Sequence, residues 1–196
     1  MLIVMVLLAA TELVELNEKS GVLYARVWKD PDTIGARFSH DHVIVAKRWT
    51  AKVSYGAEGC EINASIDVAG LEPDEPAMRK KFQLPPEVSD SDRKKIGGNM
   101  REKDQLDAEK FKTISFKATK CSGAGKKSGL VEIEGDVTIR GKTKHVAFPL
   151  TLDWSGSGLK VKGSFVVQHK DFGFEPYSGA LGAVKNGPDI EIGIEL

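Results

Sequence analysis

LVEIEGDVTIRGKTKHVAFPLTLDW, residues 130–154, decides how the fold is read. Val131, Ile133, Val137 and Ile139 stand at alternate positions, with Glu132, Glu134, Asp136 and Thr138 between them. Successive side chains of a strand point to opposite faces, so this spacing makes one apolar face and one charged face. Gly135 falls among the apolar positions and marks a bend or bulge. Arg140-Gly141-Lys142 is a hairpin turn signal. Val146, Phe148, Leu150, Leu152 and Trp154 then resume the alternation on a second strand.

The same period extends in both directions. Thr113–Thr119 aligns Ile114, Phe116 and Ala118, and Cys60–Val68 aligns Ile62, Ala64, Ile66 and Val68. Gly21–Lys29, a part of His42–Tyr55, Leu159–Lys170 and Asp189–Leu196 complete the strands, the last aligning Ile190, Ile192, Ile194 and Leu196. Thr33–His40 reads as a short helix with Asp32 as its N-cap. Leu71–Lys112 is charged, carries four prolines and lacks the period of two. It reads as an excursion with helical pieces, the best of them Ser89–Met100, interrupted or ended by Gly97-Gly98. Asp171–Pro188 is a glycine-rich connection, whose Gly179–Gly187 part is expected to be a loop over one end of the fold. About eight strands joined mostly by short turns give an antiparallel all-β domain, either a sandwich or a barrel. An eight-stranded barrel is wide enough to hold one small ligand.

Composition narrows the function. The 196 residues fit one domain, and a hydrophobic share of 41% supplies a sizeable core. Lysine and arginine total 28, as do aspartate and glutamate, so the large basic footprint of a nucleic-acid binder is absent. MLIVMVLLAA, residues 1–10, is wholly apolar but too short to span a bilayer as a helix. Its length fits the apolar region of a signal peptide, although no Lys or Arg precedes Lys19. We therefore set residues 1–10 apart as a signal remnant or extension and treat 11–196 as the domain. Cys60 and Cys121 fit neither a zinc motif nor a CxxC redox motif and read as two free thiols, a bridge being open to them only in an oxidising compartment.

Few residues carry reactive chemistry. His40 and His42 would share one face of a strand and could meet one metal ion, with His145, His169 or a carboxylate as further ligands. The plainer expectation is one histidine bonded at a corner and one exposed. No GxSxG, HExxH or P-loop occurs, so no enzyme, metal or cofactor is expected. Arg79-Lys80-Lys81 and Arg93-Lys94-Lys95 could touch anionic headgroups at a membrane surface, though such runs more often form a solvated helix face.

Three segments in order resemble the YceI-like family: LDAEKFKTISFKAT at 106–119, GLVEIEGDVTIRGKTKHVAFPL at 129–150 and HKDFGF at 169–174. ARFSHDHVI at 36–44 departs from a family subgroup in carrying Ser39 where glycine is usual, and the excursion is longer than in typical exported members. The resemblance implies an eight-stranded antiparallel lipocalin-like β-barrel with a helical excursion. It further implies a carrier of an isoprenoid or other long-chain lipid, placed in the periplasm or secreted, with a cytoplasmic place as the alternative. In such a barrel Phe38, Trp49, Phe111, Phe116, Phe148, Phe165 and Phe172 are expected to line the lumen with Ile62, Ile66, Ile114, Ile133, Val137 and Ile139. Arg37, His40 and Lys170 are the polar candidates at the mouth. A metal-dependent enzyme and a ligand-free interaction module with a filled core stand as alternatives.

Overall fold

The computed structural model describes residues 13–56, 59–85, 87–123, 128–155 and 158–196. The apolar segment 1–10, the middle of the Ser122–Ser128 turn and most of the turn after Ser155 lie outside the described residues, as does the side chain of Trp154.

The strands are β1 (Leu13–Asn17), β2 (Val22–Lys29), β3 (His42–Ala46), β4 (Trp49–Gly56), β5 (Gly59–Asp67), β6 (Leu71–Pro73), β7 (Thr113–Ser122), β8 (Gly129–Ile139), β9 (Lys142–Ser155), β10 (Gly158–Gln168), β11 (Ser178–Gly179) and β12 (Val184–Glu195). Six of them are halves of three kinked strands. β1 pairs with β4 and β2 with β3, both antiparallel. β4 likewise pairs with β5 and β3 with β6. The ladder crosses the kinks through Lys47 N–H to Gly70 O at 2.8 Å and Asp67 N–H to Arg48 O at 3.0 Å. With β1–β2, β3–β4 and β5–β6 each counted once, the neighbours run in chain order through β7, β8, β9, β10 and β12, and β12 pairs back onto β2. The result is an up-and-down barrel of eight antiparallel strands, as the alternation predicts. The ring closes the sheet on itself, which settles barrel against sandwich.

One face of each strand builds the interior. Val131, Ile133, Val137 and Ile139 are buried on β8, and Phe148, Leu150 and Leu152 on β9. Gly135 belongs to the same inward row because the Phe116 ring crosses it. A Cβ there would lie 2.5 Å from Phe116 Cζ.

The excursion begins at Asp74, after β6 has used Leu71–Pro73. Helix α1 (Pro76–Lys81) has proline at its start and lays Met78 against the outer side of Val43 and Val45. Helix α2 (Asp90–Arg101) is capped by the Ser89 hydroxyl, which accepts from Asp92 N–H at 3.2 Å. Gly97-Gly98 does not end it. Gly97 is buried within it, where a Cβ would lie 3.0 Å from the Arg101 guanidinium and at ordinary contact distance, 3.5 Å, from the Pro73 ring. The Arg101 guanidinium then donates to Leu71 O at 2.6 Å on the unpaired edge of β6.

Two local expectations are corrected. Thr33–His40 forms only a single 3-10 turn over Ala36–Phe38, with no side-chain cap. Asp32 does not cap it, and its N–H instead bonds the Asp30 carboxylate. The glycine-rich connection is not a free loop either. β11 pairs with the start of β12, and Gly187 already lies within β12.

Candidate functional site

The barrel interior is hollow. A cavity of about 770 Å³ runs inside the strands. This lies in the range of pockets that bury drug-sized ligands. At the ~30 Å³ that a liquid water occupies, the space holds about 25 heavy atoms.

The wall follows the strand parity. Trp49 on β4, Ile62 and Ile66 on β5, and Ile114 and Phe116 on β7 face the cavity. So do Ile133, Val137 and Ile139 on β8, Phe148 on β9 and Phe165 on β10. Three of the rings form one aromatic wall: Phe148 stacks on Phe165 at 4.5 Å between centroids and meets Phe116 edge-on at 5.9 Å. Offset and edge-on pairs of this kind fix ring orientation beyond simple burial.

Three expected wall residues stand elsewhere. Phe38 projects from the 3-10 turn into solvent, under the Arg37 guanidinium at 4.7 Å, because that turn lies outside the barrel ladder. Phe111 lies before β7 and packs beside Gly141 of the β8–β9 turn. Phe172 is almost fully buried at the end of a 3-10 turn (His169–Phe172), and Phe174 just beyond it faces the cavity in its place. Ile96 and Met100 on α2, Leu106 beyond it, and Tyr177 were not foreseen as lining residues. The four-residue spacing of Ile96 and Met100 within a charged stretch is the signal that could have marked an inward helix face.

The two ends of the barrel differ. The connections 30–41, 74–112 and 169–183 leave one end, together with the short Arg140-Gly141 turn, and the connections after β4, β7 and β9 leave the other. His42, Asn99, Gln105, His169, Tyr177 and Asn186 line the cavity at the end with the long connections. Asn99 on α2 donates from Nδ2 to the Tyr177 hydroxyl at 3.0 Å, tying the helix to the 169–183 connection across the mouth. Gln105 Nε2 adds a bond to Glu175 O at 3.3 Å. Arg37, His40 and Lys170, the polar candidates from the sequence, are not on the wall.

Beside the mouth lies a buried ionic cluster. Asp74 is fully buried, with its backbone in the left-handed region at φ 56°. His42 Nδ1 meets its Oδ2 at 2.6 Å, and Arg79, itself buried, donates to Oδ1 at 2.7 Å. Val43 N–H also donates to Oδ1. Burial alone would raise the Asp74 carboxyl, but the His42, Arg79 and Val43 donors together hold it below the ordinary value. The His40 imidazole is pushed down, first by burial and then by the neighbouring His42. The rings of His40 and His42 lie 6.5 Å apart. His145 is on the outer face, bonded to Asp136 at 2.8 Å. Among the described residues no three His, Cys, Asp or Glu side chains gather in a way that could hold a metal ion.

Half of the six side chains in the basic runs are held in ion pairs. Arg79 is committed to Asp74, Lys81 to Glu195 and Arg93 to Asp90. The cysteines depart from expectation too. Cys60 on β5 and Cys121 on β7 lie on paired strands with Cα atoms 5.8 Å apart, and they form a disulfide. A gap of 61 residues gives no hint that hydrogen-bonded neighbours bring them together.

Comparison with known proteins agrees with this architecture. Residues 29–196 match the YceI-like domain model. UPF0312 proteins of Vibrio cholerae are 30% identical over 112 residues, which cover 54% of this chain. The match spans about half (56%) of the length of those relatives. Among solved structures, Burkholderia cenocepacia BcnA superposes with a TM-score of 0.62 at 18% identity, covering 89% of this chain and 93% of its own. A polyisoprenoid binding domain from Saccharophagus degradans, implicated in plant cell wall breakdown, gives 0.61 at 10% identity, covering 94% and 97%. A Campylobacter jejuni YCEI protein gives 0.52 at 13%, covering 78% and 84%. At these identities the structural likeness concerns the fold.

Proposed function

We propose that this chain, which belongs to the YceI-like domain family, is a non-catalytic carrier holding one long apolar molecule, isoprenoid or fatty-acyl-like, in its barrel. The observation that carries the reading is the cavity, about 770 Å³ with a wall made mostly of aliphatic and aromatic side chains. The polyisoprenoid-binding neighbour from Saccharophagus degradans supports the choice of ligand class. Tail burial supplies the affinity. Each buried methylene contributes about 0.8 kcal/mol, so ten give about 8 kcal/mol before ordering costs, the scale of micromolar binding. The space also argues against a ligand-free module with a filled core.

Such a guest lives in membranes, so loading needs contact with one. We place that contact at the lidded end. Ile34 and Leu181 are fully exposed and Phe38 is two-thirds exposed. Their two loops are laced by Gly35 N–H to Ala183 O at 2.8 Å. Ala180 and Leu181 both hold positive φ, a costly conformation that keeps Leu181 turned outward. Single protruding apolar side chains suit insertion into a fluid interface. Export to an oxidising compartment fits the Cys60–Cys121 bridge.

Organic extraction of the protein purified from its own source, followed by mass spectrometry, tests the carrier reading. One long-chain lipid at near-equimolar amount is the expected result. Failure both to recover and to load any hydrophobic ligand overturns it.

A further inference from the structure

We propose that His42 reads the polar head of the guest and selects one that donates a hydrogen bond, the hydroxyl of a long-chain alcohol above all. This rests on the carrier reading and adds the head to the tail. His42 opens β3 and shares the inward face with Ile44 and Ala46. Its register partner is Val27, also on the cavity wall, so the imidazole interrupts an apolar surface.

The cluster behind the ring fixes its state and its aim. Asp74 N–H donates to Val43 O at 2.7 Å and Val43 N–H returns a bond to Asp74 Oδ1 at 3.2 Å, which locks the carboxylate in place. Arg79 neutralises that carboxylate from the far side and also donates to Asp41 O at 2.8 Å. One negative and one positive charge are thus already balanced in a buried site. A carboxylate oxygen only accepts, so in the tautomer that meets Asp74 at 2.6 Å the hydrogen sits on Nδ1. This leaves Nε2 as a lone-pair acceptor.

Nε2 of His42 has no hydrogen-bond partner among the described residues. Asn99 and Tyr177 bond each other. His169 donates from Nδ1 to Pro188 O, and its ring stands edge-on to Phe174 at 5.2 Å. A guest that donates to Nε2 of His42 gains a hydrogen bond within an otherwise apolar wall. A hydrocarbon, an ether or an ester gives the ring nothing, and an anionic head brings only acceptors. The tail then lies along the aromatic wall toward the opposite end, and the head stops beneath α2.

The test uses the full chain freed of lipid and three probes with one tail: farnesol, farnesyl methyl ether and farnesyl phosphate, each competing with a fluorescent lipophile. We expect farnesol to bind about tenfold more tightly than the ether, the scale of one satisfied buried hydrogen bond. His42→Phe should erase that gap between alcohol and ether, and His42→Gln, which retains an acceptor, should restore part of it. Nitrogen NMR of the wild-type imidazole gives a readout independent of any variant's folding: a proton on Nδ1, and an Nε2 resonance that moves with farnesol but not with the ether. Equal binding of alcohol and ether, preference for the phosphate, an Nε2 resonance that ignores farnesol, or equal loss of all probes in His42→Phe overturns the proposal. If the wild-type chain binds none of the three, the carrier reading falls together with it. If it binds all three equally, the carrier stands and only the role of His42 falls.

Discussion

Asn99 and Tyr177, 78 positions apart in the chain, are joined by a 3.0 Å hydrogen bond across the barrel mouth. One belongs to the helical excursion and the other to the connection before β12. The bond has to break whenever a guest passes between them. Tyr177→Phe keeps the ring on the cavity wall and removes only the accepting oxygen. A net hydrogen bond is worth about 1 kcal/mol, so release of a fluorescent lipophile should speed up about fivefold. Stopped-flow displacement measures it, and an unchanged release rate means the mouth is not latched at this point.

Filling the lumen should abolish binding without unfolding the chain. Ala64 sits on β5 in the row that includes Ile62 and Ile66, and faces the cavity. Ala64→Trp places an indole in space now vacant, so the overpacking cost of a dense core is largely avoided. Ligand uptake should fall by more than tenfold while the thermal midpoint holds or rises. Full uptake with a normal midpoint would move the guest outside the barrel.

The apolar loop tips make a separate claim about surfaces. Ile34→Ser combined with Leu181→Ser should weaken co-sedimentation with lipid vesicles about tenfold or more, since each side chain removed takes apolar area away from the interface. Far-UV circular dichroism should not change, because both side chains contact solvent alone. Undiminished vesicle binding would place the membrane contact on another face.

Reduction of the Cys60–Cys121 bridge should cost stability. Closing a loop of 61 residues restricts the unfolded chain. The chain-entropy argument gives up to about 4 kcal/mol for a loop of that size. Cys60→Ser with Cys121→Ser, or excess reductant on the native chain, should lower the urea midpoint by the same amount. A midpoint indifferent to reductant would show that the bridge restrains nothing.

Acid should weaken the fold through His169. Burial pushes this imidazole below the ordinary histidine value, and its Nδ1 bond to Pro188 O opposes the shift only in part. The unfolded ring takes up its proton near pH ~6.5, while the folded ring does so only at lower pH. Between those values the native chain binds fewer protons, so stability is complete above the unfolded value and declines as pH drops through it. His40 is displaced in the same direction. Urea midpoints should therefore fall between about pH 7.5 and about pH 5. His169→Gln should flatten the decline, and an unaltered slope would assign it to other groups.

Strand parity made most of this architecture legible in the sequence, because a period of two is a direct consequence of backbone geometry. Ile133 and Phe148 could be placed on the inner face from their neighbours alone. Phe38, Phe111 and Phe172 could not, since each lies in a connection where no period links position to direction. Gly97 was legible as a helix breaker and instead lies within α2, beside the Arg101 guanidinium that bonds the edge of β6. Asp74 was missed for a related reason. Its partners His42 and Arg79 come from a strand 32 positions earlier and a helix 5 positions later, and only the β3–β6 pairing brings them together. The cysteines posed the same difficulty, because partnership across a ladder leaves no trace in spacing.

All the long connections emerge from one rim, and on the carrier reading this gives traffic through the molecule a direction. A passenger whose head stays beneath α2 must back in and leave facing forward. A receiver would then meet the head first, while the oily remainder is still sheathed. Hand-over and protection from water then form one continuous motion, with no moment at which the whole passenger stands bare.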